Sequence, residues 1–198
     1  MMLENLDGDV LKLRSGHASN DFLAKLNKLR SDNLFLDIDL ILSKQPECIP
    51  AEDEQGNVRD PMKETTTLKE DPLKAHKIVL SCCSPYFEKM FGEHFSEKNQ
   101  RSVCIGCDLD YSAFEQILNF FYTGVLEITP LNAIELLQVA DVLLLDQTKE
   151  CLLKYMQQTL NSENCILYKD VGKTFACTTL AETADRFARR NFEDVCKR

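Results

Sequence analysis

Two cysteines, one Gly-Lys-Thr segment and three histidines are the residues whose types and spacing could support chemistry. Cys104 and Cys107 have the spacing of half a zinc site or of a redox dithiol. A structural zinc ion needs four ligands, and no second pair at matching spacing follows. A short strand with its turn explains the pair better, and a metal or redox protein is retained only as a third hypothesis.

The remaining catalytic patterns are incomplete. Gly172-Lys173-Thr174 ends like a phosphate-binding loop, but that loop needs a glycine where this chain has Leu167. His17, His76 and His94 do not pair a nucleophile with a base at a spacing that indicates a catalytic site. The sequence therefore predicts a protein that is not an enzyme and has no metal or cofactor.

The composition is that of an acidic protein with enough chain for one sizeable core. The 198 residues include 23 Lys plus Arg against 32 Asp plus Glu, which gives a net charge of −9. This length favours one domain of roughly 100 to 150 residues with a small appendage. Nucleic acid is excluded as a partner, because phosphate binding needs a basic face and the chain has only the short patch Arg186, Arg189 and Arg190.

The sequence also indicates the cellular compartment of the protein. The first ten residues lack the basic start and apolar stretch of a secretory signal, and no charge-free window approaches the ~20 residues of a membrane span. The nine cysteines are irregularly spaced and odd in number, which favours reduced thiols over disulfides. We expect a cytoplasmic protein, with the nucleus as a second location and no membrane contact.

Residues 43–72 differ from the rest of the chain. They hold four of the six prolines and no aromatic residue. Such a segment cannot bury enough apolar area to offset its ordering entropy, so it predicts a disordered insertion within a domain. A tolerated insertion is the simpler interpretation, and a functional loop is the alternative.

Apolar periodicity predicts an α+β fold dominated by helix. Alternation over residues 35–42 predicts a strand, as do the runs 102–105 and 125–129. Residues 20–30 form an amphipathic helix. The buried helical stripes are expected at Phe22, Leu23, Leu26 and Leu29; Tyr86, Phe87, Met90 and Phe91; Phe114, Ile117, Leu118 and Phe121; Ile134, Leu137, Ala140 and Leu144; Cys151, Leu152, Tyr155 and Met156; and Leu180, Ala184, Phe187 and Phe192.

Four signals predict where helices begin. Ser84-Pro85 and Thr129-Pro130 each place a cap residue before a proline suited to the first helical turn. Asp146 is expected to cap the helix that follows it. Thr179 and Glu182 have the spacing of a capping box and predict the start of the last helix.

Several segments occur in an order that resembles one family. Ala75-His76-Lys77-Ile78-Val79-Leu80, then Ser84-Pro85-Tyr86-Phe87, then Phe121-Tyr122-Thr123-Gly124, resemble the BTB (POZ) domain of kelch-like proteins. Leu36-Asp37-Ile38 matches the family's preceding strand. The resemblance covers residues 17–160 and implies a small sheet with stacked helical hairpins, although relatives usually replace the insertion by a short turn.

Residues 161–198 extend the resemblance to the helix pair that opens the BACK region. Ser162-Glu163-Asn164-Cys165 and the apolar stripe from Leu180 carry this similarity. Kelch repeats are not present, because seven glycines cannot supply a glycine-rich period of ~50 residues. The chain is therefore either a fragment or a protein without the usual substrate-recognition module. Gly172-Lys173-Thr174 departs from the family pattern and is expected to interrupt a helix.

The resemblance implies an adaptor for cullin-3 in ubiquitin ligase complexes, with an unknown substrate and with ligase activity residing in its partners. Relatives that bind the cullin carry a φ-x-E motif, which Phe95-Ser96-Glu97 fits. Tyr86, Tyr168 and Phe175 are further candidates for the cullin surface. The alternative is that Phe95 is a core residue and Glu97 a solvated charge.

The resemblance also implies a homodimer. Residues 1–16 would include an exchanged strand with Val10, Leu11 and Leu13, and the helix 17–30 would face its mate through Phe22, Leu23, Leu26 and Leu29. The same apolar stripe could instead cover the helix's own core. Asp37 and His76 are expected to be polar structural residues near the dimer centre, and a buried Asp37 would need a partner.

A second function from another class fits the same domain. BTB domains joined to zinc fingers dimerise and recruit transcriptional corepressors without binding a cullin. Those relatives generally lack the helical extension after residue 161. The extension and Phe95-Ser96-Glu97 therefore favour the cullin adaptor.

Overall fold

The structure is a computed structural model that describes residues 2–5, 11–14, 20–42, 71–92, 100–105 and 108–192. These residues divide into two compact units, Ala18–Thr123 and Met1–His17 together with Gly124–Arg198. The predicted insertion lies outside the described residues except for positions 71 and 72. In chain order the elements are β1 (Met2–Asn5), β2 (Leu11–Arg14), α1 (Asn20–Ser31), β3 (Ile38–Leu42), β4 (Leu73–Ala75), α2 (Lys77–Cys83), α3 (Pro85–Met90), β5 (Ser102–Ile105), α4 (Tyr111–Thr123), β6 (Val125–Ile128), α5 (Ala133–Val142), α6 (Asp146–Gln158), α7 (Cys165–Thr174) and α8 (Thr178–Arg190).

The unit Ala18–Thr123 combines a small mixed sheet with four described helices. Strand β3 lies in the centre, antiparallel to β4 and parallel to β5. Ile38 and Leu40 point into the core, as the alternation predicted, and helix α1 packs against α4. The predicted stripe of α4 is confirmed, since all four of its members are buried: Phe114, Ile117, Leu118 and Phe121. The helix-dominated α+β class predicted from the sequence is confirmed.

Strand β3 begins three residues later than predicted. Helix α1 ends in a turn in which the Leu34 N–H donates to the Leu29 carbonyl at 2.8 Å. Asn33 and Phe35 then adopt left-handed backbone conformations, with φ of 54° and 60°. The strand therefore starts only at Ile38, although the Asp37 N–H already donates to the Ala75 carbonyl at 3.3 Å.

The predicted helix start at Ser84-Pro85 is confirmed. Ser84 caps α3 by accepting from the Phe87 N–H at 3.5 Å, and Pro85 is the first helical residue. The predicted buried stripe is only partly correct. Phe87 is fully buried, whereas its companions are half-buried because the short helix has only one turn facing the core: Tyr86, Met90 and Phe91.

The second unit combines an antiparallel sheet in the order β1-β2-β6 with two helical hairpins. Strand β2 pairs with β6 of the same chain, so that Leu11 lies opposite Ile128 and Leu13 opposite Leu126. Helices α5 and α6 form one hairpin, and α7 and α8 form the other.

The predicted helix start at Thr129-Pro130 is wrong. Residues 129–132 form a turn in which the Asn132 side chain accepts from the Thr129 N–H at 2.8 Å, and α5 begins at Ala133. This shift changes the buried face. Leu137 and Ala140 are buried as predicted, but Ile134 is half-buried and Leu144 is exposed beyond the helix end, with a φ of 57°.

Two other predicted caps are also wrong. Asp146 is the first residue of α6 and follows Leu145, so its carboxylate lies in the first turn, where a negative charge suits the helix dipole. Helix α8 begins at Thr178, which places Thr179 inside the helix. The Thr179 hydroxyl accepts from the Gln157 side chain at 3.0 Å instead of capping the helix.

The predicted interruption at Gly172-Lys173-Thr174 does not occur, because α7 continues to Thr174. A Cβ at Gly172 would lie 2.6 Å from the Ala181 nitrogen, so the glycine permits close approach of α7 to α8. The outer members of two predicted stripes are not buried. Cys151 and Phe187 are half-buried, and Phe192 is exposed.

Candidate protein-interaction surfaces

Part of the predicted interaction surface lies outside the described residues. This applies to Phe95, Ser96, Glu97 and Val10. Strand β2 carries Leu11 and Leu13, and its backbone is paired with β6. The exchange of this segment between two copies stays a prediction.

An apolar surface follows the end of α1. Leu34, Phe35 and Ile78 have exposed fractions of 47%, 79% and 68%, and we call these three residues the turn patch. The His76 ring contacts the Leu34 carbonyl at 2.9 Å, which brings the start of α2 beside the turn. Exposed side chains of this size on neighbouring segments are typical of a protein-interaction surface.

The buried His76 holds the turn patch in place. Its Nε2 lies 2.9 Å from the Leu34 carbonyl, which can only accept, so a neutral ring would carry its one proton on Nε2. Its Nδ1 and its backbone N–H both lie 2.9 Å from the Tyr122 hydroxyl. That hydroxyl therefore accepts from the N–H and donates to Nδ1. The arrangement satisfies every polar atom of this contact.

Arg30 fixes the end of α1 from the other side. Its guanidinium lies 5.0 Å from the centre of the Tyr122 ring and donates to the Lys74 carbonyl at 3.1 Å and to the Asn119 side chain at 2.7 Å. Burial lowers the pKa of Arg30 and raises the pKa of Tyr122. Sequence reasoning missed Arg30, because an arginine in a last helical turn gives no signal beyond a favourable dipole contact.

Asp37 is exposed rather than buried, and it has a definite partner. Its carboxylate accepts from the Lys77 N–H at 2.7 Å, at the first turn of α2. His76, the cap residue of α2, offers no side-chain hydrogen bond to that turn, so Asp37 replaces it. The Lys77 ammonium donates to the Gln100 carbonyl at 2.7 Å and lies 5.4 Å from the Phe91 ring centre.

The predicted dimer face of α1 is only partly open. Phe22 is exposed, whereas Leu23, Leu26 and Leu29 are half-buried. Because α1 packs against α4, the three leucines are partly buried within their own unit. The helix therefore fits both interpretations that the sequence left open, a face toward a second copy and a face toward its own core.

The candidates for the cullin surface have different environments. Tyr86 is half-buried, with its ring edge against Phe87 at 5.3 Å between ring centres. Tyr168 is buried, and its hydroxyl has no hydrogen-bond partner among the described residues. Phe175 is half-buried beneath the Lys149 ammonium. Sequence reasoning missed the exposed pair Ile166 and Leu167 on α7.

Within the described residues, no three His, Cys, Asp or Glu side chains lie together to hold a metal ion. Cys104 lies in β5, and Cys107 is outside the described residues, so their pairing is untested. None of the described helices is long and apolar enough to cross a membrane.

Comparison with known proteins identifies the class. The BTB/POZ domain family model matches residues 64–160. The fold resembles the BTB domain of zebrafish PATZ1, with a TM-score of 0.51 and 23% sequence identity over 71% of this chain and 92% of that domain. The chain therefore contains a BTB/POZ domain, with the fold that the sequence predicted.

The particular relatives are kelch-like proteins. Kelch-like protein 17 of Mus musculus is 34% identical over 125 residues, and that of Homo sapiens is 33% identical over 125 residues. The match covers 63% of this chain and 19% of each relative. The resemblance to kelch-like BTB domains is thus confirmed over about a fifth of the relatives' length.

Proposed function

We propose that this chain is a homodimeric adaptor that binds cullin-3 through its BTB domain and the helices that follow. The observation that carries the proposal is a kelch-like BTB domain followed by the hairpin α7–α8. The exposed Ile166 and Leu167 on α7 supply apolar area for a partner. Phe95 and Glu97 supply the anchor and its orienting charge.

The dimer rests on the turn patch and the exposed Phe22. A second copy is the occupant that fits, because the same patch on both protomers can form a symmetric apolar interface. Burying Phe35 against the mate would stabilise the dimer by ~1.5–3 kcal/mol. The His76 network holds the patch rigid, which reduces the entropy lost on association.

Calorimetric titration with the N-terminal part of cullin-3 tests the adaptor role. Wild-type chain should bind at submicromolar concentration, and Phe95→Ala and Glu97→Lys should abolish binding. Glu115→Lys reverses an exposed charge on α4 and should leave the affinity unchanged. A folded dimer that gives no heat at tens of micromolar overturns the cullin role and makes corepressor recruitment the better hypothesis.

Sedimentation equilibrium tests the dimer separately. Phe35→Ser and Phe22→Ser should each shift the mass toward the monomer. Leu131→Ser is the matched control, because Leu131 is 91% exposed and lies outside the patch. An unchanged dimer mass for both interface variants contradicts this interface and leaves the cullin titration unaffected.

A further inference from the structure

The two helical hairpins of the second unit are copies of one structural plan. Helices α5 and α7 have 10 residues each, and α6 and α8 have 13 residues each. Each boundary of α7 and α8 lies 32 positions after the corresponding boundary of α5 and α6. The loop between the two helices of each hairpin therefore has the same length.

The hydrogen bonds at the start of each hairpin repeat with the same offset. Asn132 accepts from the Thr129 N–H at 2.8 Å and donates to the Glu127 carbonyl at 3.1 Å. Asn164 accepts from the Asn161 N–H at 2.8 Å and donates to the Thr159 carbonyl at 2.9 Å. The same side-chain turn thus sets the start of both α5 and α7.

The end of the first helix repeats as well. Leu144 and Ala176 adopt left-handed conformations, with φ of 57° and 54°. The next residue then donates back into the helix, from Leu145 to the Ala140 carbonyl at 2.8 Å and from Cys177 to the Gly172 carbonyl at 2.7 Å. The two hairpins are therefore equivalent units, and the contacts that join them are what fixes α7–α8 in position.

One cation joins the two hairpins. The Lys149 ammonium forms an ion pair with Asp141 in the last turn of α5, and it lies 5.7 Å from the centre of the Phe175 ring at the end of α7. Its side chain is only 26% exposed. Both partners lie at helix C-terminal ends, where a positive charge is favoured by the helix dipole. A cation over an aromatic face adds a second attraction.

The ion pair of Lys149 with Asp141 has no counterpart in the second hairpin. The positions equivalent to Asp141 and Lys149 in the second hairpin are Lys173 and Ala181, which cannot form an ion pair. A second contact between the hairpins is an uncharged hydrogen bond, in which the Gln157 amide donates to the Thr179 hydroxyl at 3.0 Å. The effects of the charged and the uncharged contact can therefore be measured separately.

We infer that Lys149 is a positioning residue whose positive charge fixes the α7–α8 hairpin on α5–α6 and thereby sets the geometry of the helices that bind the partner. The part of this inference that concerns binding rests on the proposed function. The part that concerns the hairpin rests only on the contacts of Lys149 with Asp141 and Phe175.

Hydrogen–deuterium exchange of the full chain tests the hairpin directly. Lys149→Met keeps the aliphatic length and removes the charge, and it should accelerate exchange of the amides at 175–181 by about five- to tenfold. Lys149→Arg keeps the charge and should restore the wild-type rate. Gln157→Ala removes the uncharged hydrogen bond to Thr179 and should accelerate exchange further when combined with Lys149→Met. Phe175→Leu should add nothing to Lys149→Met, because both changes remove the same cation–ring contact.

Titration with the N-terminal part of cullin-3 tests the consequence for binding. Lys149→Met should weaken affinity by about the same factor, Lys149→Arg should not, and the dimer mass should stay unchanged in both. Equal exchange rates at 175–181 in wild type, Lys149→Arg and Lys149→Met overturn the inference. If wild-type chain binds no cullin, the proposed function fails, and the exchange rates still decide the role of Lys149.

Discussion

The Tyr122 hydroxyl oxygen lies 2.9 Å from two nitrogen atoms of His76, the backbone nitrogen and Nδ1. It accepts from the first and donates to the second, while Nε2 donates to the Leu34 carbonyl at 2.9 Å. One hydroxyl thus satisfies two buried polar groups. Because these groups hold the turn that carries Phe35, the hydroxyl supports the turn patch.

Tyr122→Phe should lower the free energy of unfolding by ~1–3 kcal/mol, because it leaves two buried groups of His76 without a partner. The Phe ring would still pack beneath Arg30, so the loss comes from the hydroxyl alone. Urea unfolding followed by far-ultraviolet circular dichroism measures the change, with the midpoint lower and the m-value unchanged.

Tyr168→Phe is the matched control for Tyr122→Phe. Both tyrosines are buried, but the Tyr168 hydroxyl has no hydrogen-bond partner among the described residues. Removing a buried and unsatisfied hydroxyl should be neutral or should raise the free energy of unfolding. If the two variants lose equal stability, hydrogen bonding at Tyr122 is not what the His76 contact contributes.

The sequence predicted those elements whose signals are local. The stripe of α4 and the Ser84-Pro85 start follow from periodicity and capping alone. The turns that follow α1, α5 and α7 were harder to predict, because the left-handed residue that closes a helix is usually Gly, and here it is Asn33, Leu144 and Ala176. All three residues are exposed, and in each case the next residue donates its N–H back into the helix, to the carbonyls of Leu29, Ala140 and Gly172.

In the candidate site, too, the sequence indicated local features but not contacts between distant segments. The sequence indicated that His76 and Asp37 are structural polar residues, but their partners come from segments distant in the chain. Tyr122 lies 46 positions from His76, and Lys77 lies 40 positions from Asp37. Single-sequence patterns carry no record of such pairings, and for this reason Arg30 and Lys149 were also missed.

Gly172→Ala should destabilise the second hairpin although alanine is the better helix former. The added Cβ would lie 2.6 Å from the Ala181 nitrogen and 3.0 Å from its Cα, so backbone must move. This clash outweighs the ~1 kcal/mol that alanine contributes in a helix interior. Thermal unfolding should show a lower midpoint, and hydrogen exchange should be faster in α8.

Combining Gly172→Ala with Ala181→Gly gives a sharper result. The second change removes the contact with the Ala181 Cβ at 3.0 Å but leaves the backbone nitrogen in place. We therefore expect only partial recovery of the unfolding midpoint. Full recovery would mean that the side-chain contact, and not the close approach of the two backbones, sets the requirement for glycine.

Asp185 should make the stability of the second hairpin depend on pH. The Lys169 ammonium, 2.6 Å away, and then Arg189, hold the pKa of this carboxyl below its ordinary value. Its contribution is therefore fully present above the unfolded pKa of about 3.9 and is lost as pH falls through the lower folded value. The difference in urea midpoint between wild type and Asp185→Asn should narrow between about pH 5 and pH 2.

Asp170→Asn controls for a general effect of removing a carboxylate from this hairpin. Asp170 lies 3.5 Å from Lys173, and both side chains are well exposed, so the pair is screened by solvent. The urea midpoint of this variant should match wild type across the same pH range. If the urea midpoint at pH 7 falls equally in both variants, the effect comes from net charge and not from the Lys169 contact.

Cys83 should be the slower of two adjacent thiols in alkylation. Burial, followed by the neighbouring Cys82, raises the pKa of Cys83 to about 11, so about a thousandth of it is thiolate at pH 8. Cys82 is exposed on the same helix. In Cys82→Ser protein, iodoacetamide labelling of Cys83 measured by mass spectrometry should be slow at pH 8 and accelerate toward pH 11. In Cys83→Ser protein, Cys82 should react faster at pH 8, and equal rates would contradict the burial of Cys83.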